Sequence, residues 1–431
     1  MLNFLRKITP RFFISWYHFV WALLGALLYG FPARNMTVIG VTGTNGKSTT
    51  VEMISKIFLE AGFKTASLSS IRFQILDKAW KNAMKMTMPG RFVIQKFLRQ
   101  AKDAGCTHVV LEVTSEGMLQ HRHRFIIFHT AVFTNLSPEH IERHGSFENY
   151  KRTKGKLFAA VKNVHVINAD DEHAPFFLQF SATQKYLYSV VCSAEKKQAQ
   201  SIMLRSMILC AEGVQEEDGL AFVVEDTRFH VGLLGRFNAS NALAAIAVAR
   251  SQGISLQVCS KALEKMEVVP GRMETVVRDP FRVVVDYAFT PAALEKVYQT
   301  LKTKNYKLIC VLGAAGGGRD RWKRPVLGKI AATWCDQVII TNEDPYEEDP
   351  TQILSQIKSG IFNSKFQMSN FYEILDRREA IRRALSFAKP GDTVVITGKG
   401  CEDSIAVKGG KKIPWDDREV VREEMDKVKE L

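Results

Sequence analysis

Between Met36 and Thr50 the chain reads MTVIGVTGTNGKSTT. Val38, Ile39 and Val41 read as a buried strand, the glycines that follow as a tight turn, and Lys47 to about Ala61 as an amphipathic helix. A glycine loop between strand and helix cradles phosphate. Its backbone N–H groups and the positive helix end meet the anion, a lysine adds charge, and a serine hydroxyl can ligate Mg²⁺. Gly43, Thr44, Asn45, Gly46, Lys47, Ser48 and Thr49 are therefore the candidates for holding a nucleotide. The spelling departs from a strict Walker A loop, which wants glycine where Val41 stands and here has it at Gly40.

Other residues suit the same chemistry. Glu112 closes the apolar run VVLEV, at a strand's carboxyl end, where open α/β sheets hold ligands. Asn238 and Asn241 are spaced to share one face in the first turn of a helix, where polar side chains can meet a nucleotide or cap the helix. Asp286 closes VVVD, and Arg272 follows a Pro-Gly junction. Three histidines, His129, His140 and His144, crowd one region. In YKRTKGKLF, Lys151, Lys154 and Lys156 read as the solvated face of a basic helix, and spacing alone does not separate them.

The elements that must position these groups form two α/β units. A chain of 431 residues exceeds one ordinary core, so two or three domains are expected. With 46% hydrophobic and 24% charged residues, the composition is that of a globular chain and argues against wholesale disorder. Apolar runs at 38–41, 108–113, 130–134 and 164–168 predict strands of a mainly parallel sheet, with helices between them and a β-rich excursion over 186–232. A helix follows at about 238–251. A second, Rossmann-like unit begins near Pro270-Gly271, with strands at 282–286, 307–312, 337–341 and 393–397 but no GxGxxG fingerprint. The domain boundaries are thus 1–35, 36–268 and 269–431.

The net charge of +14 suits acidic small molecules, nucleic acid or an anionic membrane. No zinc finger, RNP-like motif or basic–aromatic strip is present, which disfavours nucleic acid. Seven scattered cysteines without a CxxC pair argue against a disulfide framework or zinc ribbon and for a reducing compartment.

Phe12 to Phe31 is an uncharged run about long enough to span a bilayer, with Trp16, Tyr17, Trp21 and Tyr29 toward its ends. A signal peptide fits poorly, since export would separate a nucleotide site from its nucleotide. A spanning helix would put Arg6, Lys7 and Arg11 on the outer side, against the positive-inside tendency. A helix lying on the cytoplasmic face of the inner membrane, with those bases on anionic head groups, avoids the conflict. A helix packed on its own domain is the plain alternative.

GVTGTNGKST, LEVTSEGMLQHR, TNLSPEHIERHG, GRFNASNALAA, VPGRME and VVVDYAFTP together resemble the Mur ligases, and the resemblance covers about residues 36–425. Within that family the chain is most similar to the MurE tripeptide synthetases, through MTMPGRFVIQ, GGGRDRWKRP, DRREAI and GKGCED. The resemblance implies a P-loop-type central domain, a C-terminal Rossmann-like domain, and ATP and Mg²⁺ as cofactors. It implies an amide ligase that phosphorylates the D-glutamyl carboxylate of UDP-MurNAc-L-Ala-D-Glu and lets an amino acid's amine attack the acyl phosphate. By motif position Ser48, Glu112, His140 and a carbamylated Lys154 would hold two magnesium ions. Lys47, Arg272, Asp286, Asn238 and Asn241 would reach ATP. Thr87, Thr114, Gln120 and Arg122 would touch the UDP-muramoyl peptide, and Asp344, Tyr346, Gly398 and Glu402 the incoming amino acid. Closure of the C-terminal domain would assemble the site and exclude water. A cytoplasmic monomer is expected.

Departures from the pattern matter. Glu139 and Glu142 replace aspartates, Phe289 a histidine and Ala292 an aspartate. The DNPR signature of diaminopimelate enzymes reads Glu343-Asp344-Pro345-Tyr346, which exchanges a bidentate carboxylate clamp for a phenol. The sequence also shows no counterpart of the MurE domain that grips UDP. Two alternatives follow: a ligase of a lipid-linked acceptor, and a non-catalytic nucleotide-binding scaffold.

Overall fold

The computed structural model describes residues 11–84, 86–191, 207–217, 219–266, 268–364 and 366–429; Arg6, Lys7 and Cys192 lie outside them. The chain divides into two compact units. The first comprises Met1–Leu136, Glu148–Gly232 and Arg236–Glu267, the second Ser137–Phe147, Leu233–Gly235 and Val268–Leu431.

The first unit is built on β1 (Thr37–Thr42), whose Val38, Ile39 and Val41 are wholly buried. It carries β2 (Thr65–Leu68), β3 (Arg72–Ile75), β4 (Lys78–Lys81), β5 (His108–Glu112), β6 (Phe128–Phe133), β7 (Val164–Asn168), β8 (Gln184–Ser189) and β9 (Met207–Cys210). They pair in the order β4-β3-β2-β5-β1-β6-β7-β8-β9. From β2 to β9 along that order the pairing is parallel; only β3 is reversed, pairing antiparallel with β2 and with β4. Both faces of such a sheet are covered by helices, so its strands read as unbroken apolar runs. Strand β1 lies between β5 and β6, so the loop leaving its carboxyl end opens at the point where the strand order reverses, the usual ligand position of an open α/β sheet. The excursion expected over 186–232 contains an antiparallel sheet of β10 (Glu212–Glu216), β11 (Leu220–Val224) and β12 (Thr227–Val231).

Six helices of this unit matter below: α1 (Arg11–Leu28), α2 (Lys47–Glu60), α3 (Arg91–Asp103), α4 (Phe147–Ala160), α5 (Phe237–Ser251) and α6 (Leu256–Glu264). Helix α5 buries eleven of the twelve residues from Asn238 to Ala249, all but Ser240. Its run of alanines lets it pack closely on α2. The N-terminal apolar run forms α1 and ends at Gly30 and Phe31, both in the left-handed region (φ +67° and +49°). No helix among the described residues is long and apolar enough to cross a membrane.

The second unit holds β13 (Glu274–Val277), β14 (Arg282–Asp286), β15 (Leu308–Leu312), β16 (Gln337–Ile340), β17 (Phe371–Glu373) and β18 (Thr393–Thr397) in the order β13-β14-β18-β15-β16-β17. Only β13 is antiparallel. A hairpin of β19 (Ser404–Val407) and β20 (Lys411–Pro414) follows. Its helices include α7 (Lys323–Trp334), α8 (Arg377–Phe387) and α9 (Asp417–Lys429). Helices α8 and α9 cover one core built from Val283, Val285, Val311 and Ile396. Beneath it Arg377 donates to both carboxylate oxygens of Asp417 (2.8 and 2.7 Å), a buried bidentate pair. The second unit also takes residues 137–147 and 233–235, which a contiguous boundary at 268 does not contain. Among the described residues five cysteines are free and buried, while Cys210 is disulfide-bonded, which the scattered spacing did not suggest.

Candidate active site

The loop after β1 is fixed by contacts that only glycine permits. Gly43 lies at φ +155°, and a Cβ there would fall 1.9 Å from Thr134 Oγ1. Gly46 lies at φ +81°, and its Cβ would fall 2.3 Å from Asn241 Oδ1. The space goes to hydrogen bonds. Thr44 N donates to Asn135 O (2.8 Å), Asn45 N to Asn135 Oδ1 (2.9 Å), and Thr134 Oγ1 to Asn45 O (2.7 Å). Thr49 and Thr50 are buried at the start of α2, and Thr50 Oγ1 donates back to Gly46 O (2.9 Å). The Thr134-Asn135 pair of the TNLSPEHIERHG stretch thus anchors the loop.

Around this loop the first unit gathers four of the predicted side chains. Ser48 Oγ donates to Glu112 Oε2 (2.8 Å), and Ser70 N donates to the same oxygen (2.9 Å). Lys47 Nζ lies 3.8 Å from Glu112 Oε1 and donates to Thr44 O (2.8 Å). Lys154, on α4, is only 2% exposed, and its Nζ donates to Gly43 O (2.8 Å). Burial, then the charge of Lys47, hold its pKa well below the usual lysine range. Lys151 instead pairs with Glu148, and Lys156 is exposed. Asn241 Nδ2 donates to Asn238 Oδ1 (2.8 Å); both are buried, and the N-cap of α5 is Arg236, so neither asparagine caps the helix.

The acceptor candidates of the first unit also cluster. Thr114 Oγ1 accepts from Gly117 N (3.1 Å), the helix-capping role. Gln120 Oε1 accepts from Arg122 Nη2 (2.8 Å), and Arg122 Nη1 donates to the carbonyl of Met88, next to the half-buried Thr87. Burial lowers the pKa of Arg122. Arg91, at the start of α3, donates to Gln120 O (3.0 Å) and meets His18 of α1.

His140 belongs to the second unit, apart from Ser48, Glu112 and Lys154 in the division of the chain. It sits at φ +57° before a one-turn helix, Ile141–His144. Asp320 accepts from Ile141 N (3.1 Å) and Glu142 N (3.0 Å), and Arg321 N donates to Glu142 Oε1 (2.8 Å). Glu139 pairs with Lys323 (2.8 Å) with both side chains buried. Burial raises the Glu139 pKa, and Lys323 opposes it. The Glu139 exchange thus keeps a charge that Lys323 uses. Phe289, where the family pattern has histidine, lies under the Lys323 ammonium (4.9 Å to the ring centre).

Elsewhere in the second unit, Asp286 is buried at the end of β14 and accepts from Met273 N (2.7 Å) and Ala288 N (2.6 Å). Burial raises its pKa, and Arg272 works the other way. Arg272 stacks over the Tyr287 ring (4.3 Å), and Tyr287 OH donates to Glu402 Oε1 (3.1 Å). Lys399 Nζ bonds Asp344 (2.9 and 3.0 Å) and Glu402, and Asp344 also accepts from Ala406 N (2.6 Å). Burial opposes the Lys399 charge, but Glu402 and Asp344 outweigh it and raise its pKa. Gly398 (φ +103°) packs against Glu343, and Tyr346 (φ +51°) against Gly317. Arg319 is half-buried; desolvation lowers its pKa, but the fields of Tyr287, Tyr346, Glu139 and Glu402 outweigh it and raise it. Lys399, Arg319, Asp320 and Lys323 escaped the sequence reading. Their signal was adjacency: the first lies between Gly398 and Glu402, the others inside GGGRDRWKRP.

Among the described residues no three His, Cys, Asp or Glu side chains form a metal cluster. The donors beside the loop are a hydroxyl and a carboxylate, hard oxygens that suit Mg²⁺ completed by water and phosphate. Lysine is no ligand as an ammonium. The environment of Lys154 favours the neutral amine, the form that combines with CO₂ to give a carbamate with two oxygens.

Residues 41–249 match the Mur ligase middle domain and residues 271–400 the Mur ligase glutamate ligase domain. The chain is 37% identical over 422 residues to a UDP-N-acetylmuramyl-tripeptide synthetase of Roseiflexus sp. (strain RS-1), covering 92% of this chain and 80% of that one. It is 38% identical over 417 residues to a UDP-N-acetylmuramoyl-L-alanyl-D-glutamate--2,6-diaminopimelate ligase of Syntrophomonas wolfei, covering 93% and 81%. A solved structure of a ligase with that same title superposes with a TM-score of 0.60 at 31% identity, covering 92% of this chain and 80% of the other.

Proposed function

This chain is a member of the Mur ligase family, and from that premise we propose that it adds the third amino acid to UDP-MurNAc-L-Ala-D-Glu. It is an ATP-dependent, amide-forming ligase of peptidoglycan precursor synthesis, of the MurE type. The observation that carries the reading is the set Lys47, Ser48, Glu112 and buried Lys154 around one glycine loop.

In this reading the loop N–H groups and Lys47 hold the ATP phosphates. Asn241 and Asn238 support the loop from α5. Arg272 and Asp286 complete the nucleotide contacts. By the family resemblance Ser48, Glu112, His140 and a carbamylated Lys154 would hold Mg²⁺, which would neutralise phosphate charge. Thr87, Thr114, Gln120 and Arg122 bind the acceptor, whose D-glutamyl carboxylate takes the γ-phosphoryl group and releases ADP. The amine of the amino acid, held by Asp344, Tyr346, Gly398 and Glu402, attacks the acyl carbon. Phosphate leaves and the amine loses a proton. The enzyme acts as a cytoplasmic monomer, where ATP and the UDP-linked acceptor are available.

One observation favours a second acceptor. Helix α1 packs beside Arg91, His121 and Phe125, next to Gln120 and Arg122, and its outer face is apolar. A lipid-linked muramoyl peptide suits that neighbourhood.

ADP release tests the proposal. With Mg²⁺, ATP, acceptor and amino acid together, the chain releases ADP, and Lys47→Ala abolishes release. A scaffold that binds ATP but releases no ADP with either acceptor contradicts it. Release with the lipid-linked acceptor alone moves the assignment to that substrate.

A further inference from the structure

Helix α1 is packed inside out. Its inner seam is His18, Ala22, Gly25 and Ala26, all buried. The small residues let it approach α3 closely: a Cβ on Gly25 would lie 3.6 Å from Arg91 O and 3.7 Å from Gln95 Cγ. The bulky side chains point the other way. Phe12 is 74% exposed, Trp16 61% and Leu28 68%, with Trp21, Leu24 and Leu27 also exposed. A helix on a water-facing surface shows the reverse pattern, apolar inward and polar outward. An apolar face of this extent marks a contact with a protein or a membrane.

Charge selects between those occupants. The first 51 residues contain Arg6, Lys7, Arg11, Arg34 and Lys47 but no Asp or Glu. Around the helix the rim is basic. Arg34 stacks over Phe31 (4.3 Å), and the charges of Arg124, Lys156 and Arg91 act on His121, which bonds Ser15 of α1 (2.8 Å). A helix that carries no charge after Arg11, is rich in Trp, Tyr and Phe, is bordered by exposed arginine and lysine, and among the described residues is not long and apolar enough to cross a membrane, matches a helix lying in a lipid interface. A second copy would set one basic rim against another.

We propose that the outer face of α1 docks this protein on an anionic phospholipid surface, with Trp16, Trp21, Leu24 and Leu28 in the acyl boundary and Arg34, Arg124 and Lys156 on the head groups. The docking is independent of which acceptor the site uses.

Co-sedimentation of the full chain with vesicles tests it. The protein pellets with phosphatidylcholine vesicles containing phosphatidylglycerol, and at least about tenfold more weakly with pure phosphatidylcholine. The triple variant Trp16→Gln, Leu24→Gln, Leu28→Gln lowers partitioning about 100-fold, because each bulky apolar group contributes strongly to burial. Arg34→Glu with Lys156→Glu weakens binding to the anionic vesicles alone. ADP release in lipid-free solution is unchanged in both variants, which separates lost docking from lost folding or lost ligation. No pelleting with either vesicle, or pelleting the triple variant retains, overturns the proposal. A lipid-free dimer in analytical ultracentrifugation that the triple variant dissociates also overturns it, by assigning the face to a second copy.

Discussion

Replacing Lys154 by methionine separates its chemistry from its packing. The two side chains are similar in volume, so the buried site on α4 stays filled. The lost bond from Nζ to Gly43 O leaves a buried carbonyl unpaired, a cost of about 1–3 kcal/mol. Against that, the variant no longer buries an amine whose charged form burial and Lys47 both disfavour. The net change in unfolding free energy is therefore below about 2 kcal/mol in a urea titration. The effect on ligation is far larger. If the lysine carbamate supplies oxygens to the metal, losing it removes several kcal/mol of charge stabilisation, and kcat/KM falls about 1,000-fold or more. In Lys154→Ala the vacated space admits formate or acetate, whose carboxylate restores part of the rate. Isotopically labelled bicarbonate gives the wild type a carbamate NMR signal that Lys154→Met lacks. A Lys154→Met enzyme within about tenfold of wild type in kcat/KM would refute the reasoning.

Three further expectations concern the second unit. Gly271 sits at φ +62° where a Cβ would fall 2.1 Å from Cys401 N, so Gly271→Ala loses about 2–4 kcal/mol in urea unfolding; a loss below about 1 kcal/mol contradicts that packing. Tyr346→Arg restores a bidentate carboxylate partner and raises the preference for diaminopimelate over lysine about 10- to 100-fold in competition assays; an unchanged ratio removes Tyr346 from amino-acid selection. Glu343 has its pKa pushed up to about 7 by burial and by Asp344. Its folded pKa exceeds its unfolded one, so folding loses stability as pH rises through that window and keeps the full penalty above it. Glu343→Gln is accordingly more stable than wild type by up to about 3 kcal/mol at pH well above the window, and the gain vanishes in acid. A gain that is the same at both ends of the titration contradicts the assignment.

The strands of both sheets were legible because buried parallel strands must be apolar on both faces, as VVLEV and RVVVD are. The loop was legible because glycine positions carry backbone meaning, and both Gly43 and Gly46 touch a neighbour where a Cβ would sit. Lys154 was separable from Lys151 and Lys156 by family resemblance alone. Its burial comes from tertiary packing against the loop, which no local pattern encodes. The assignment of residues 137–147 to the second unit rests on Asp320 and Lys323, about 180 residues onward, and was invisible to any local window. The apolar run of α1 was legible as unusual, but which side faces the domain depended on where the small residues Ala22, Gly25 and Ala26 meet α3.

The most direct test of the ligase assignment is the product itself. Purified protein is given Mg²⁺, ATP and UDP-MurNAc-L-Ala-D-Glu carrying a heavy-oxygen label in the D-glutamyl carboxylate, with diaminopimelate, lysine, ornithine or a neutral amino acid. Mass spectrometry then reads product and phosphate. The expected result is a new amide with one of these amino acids and one labelled oxygen transferred to the released phosphate. Clear ATP binding with no amide from any of them would contradict it.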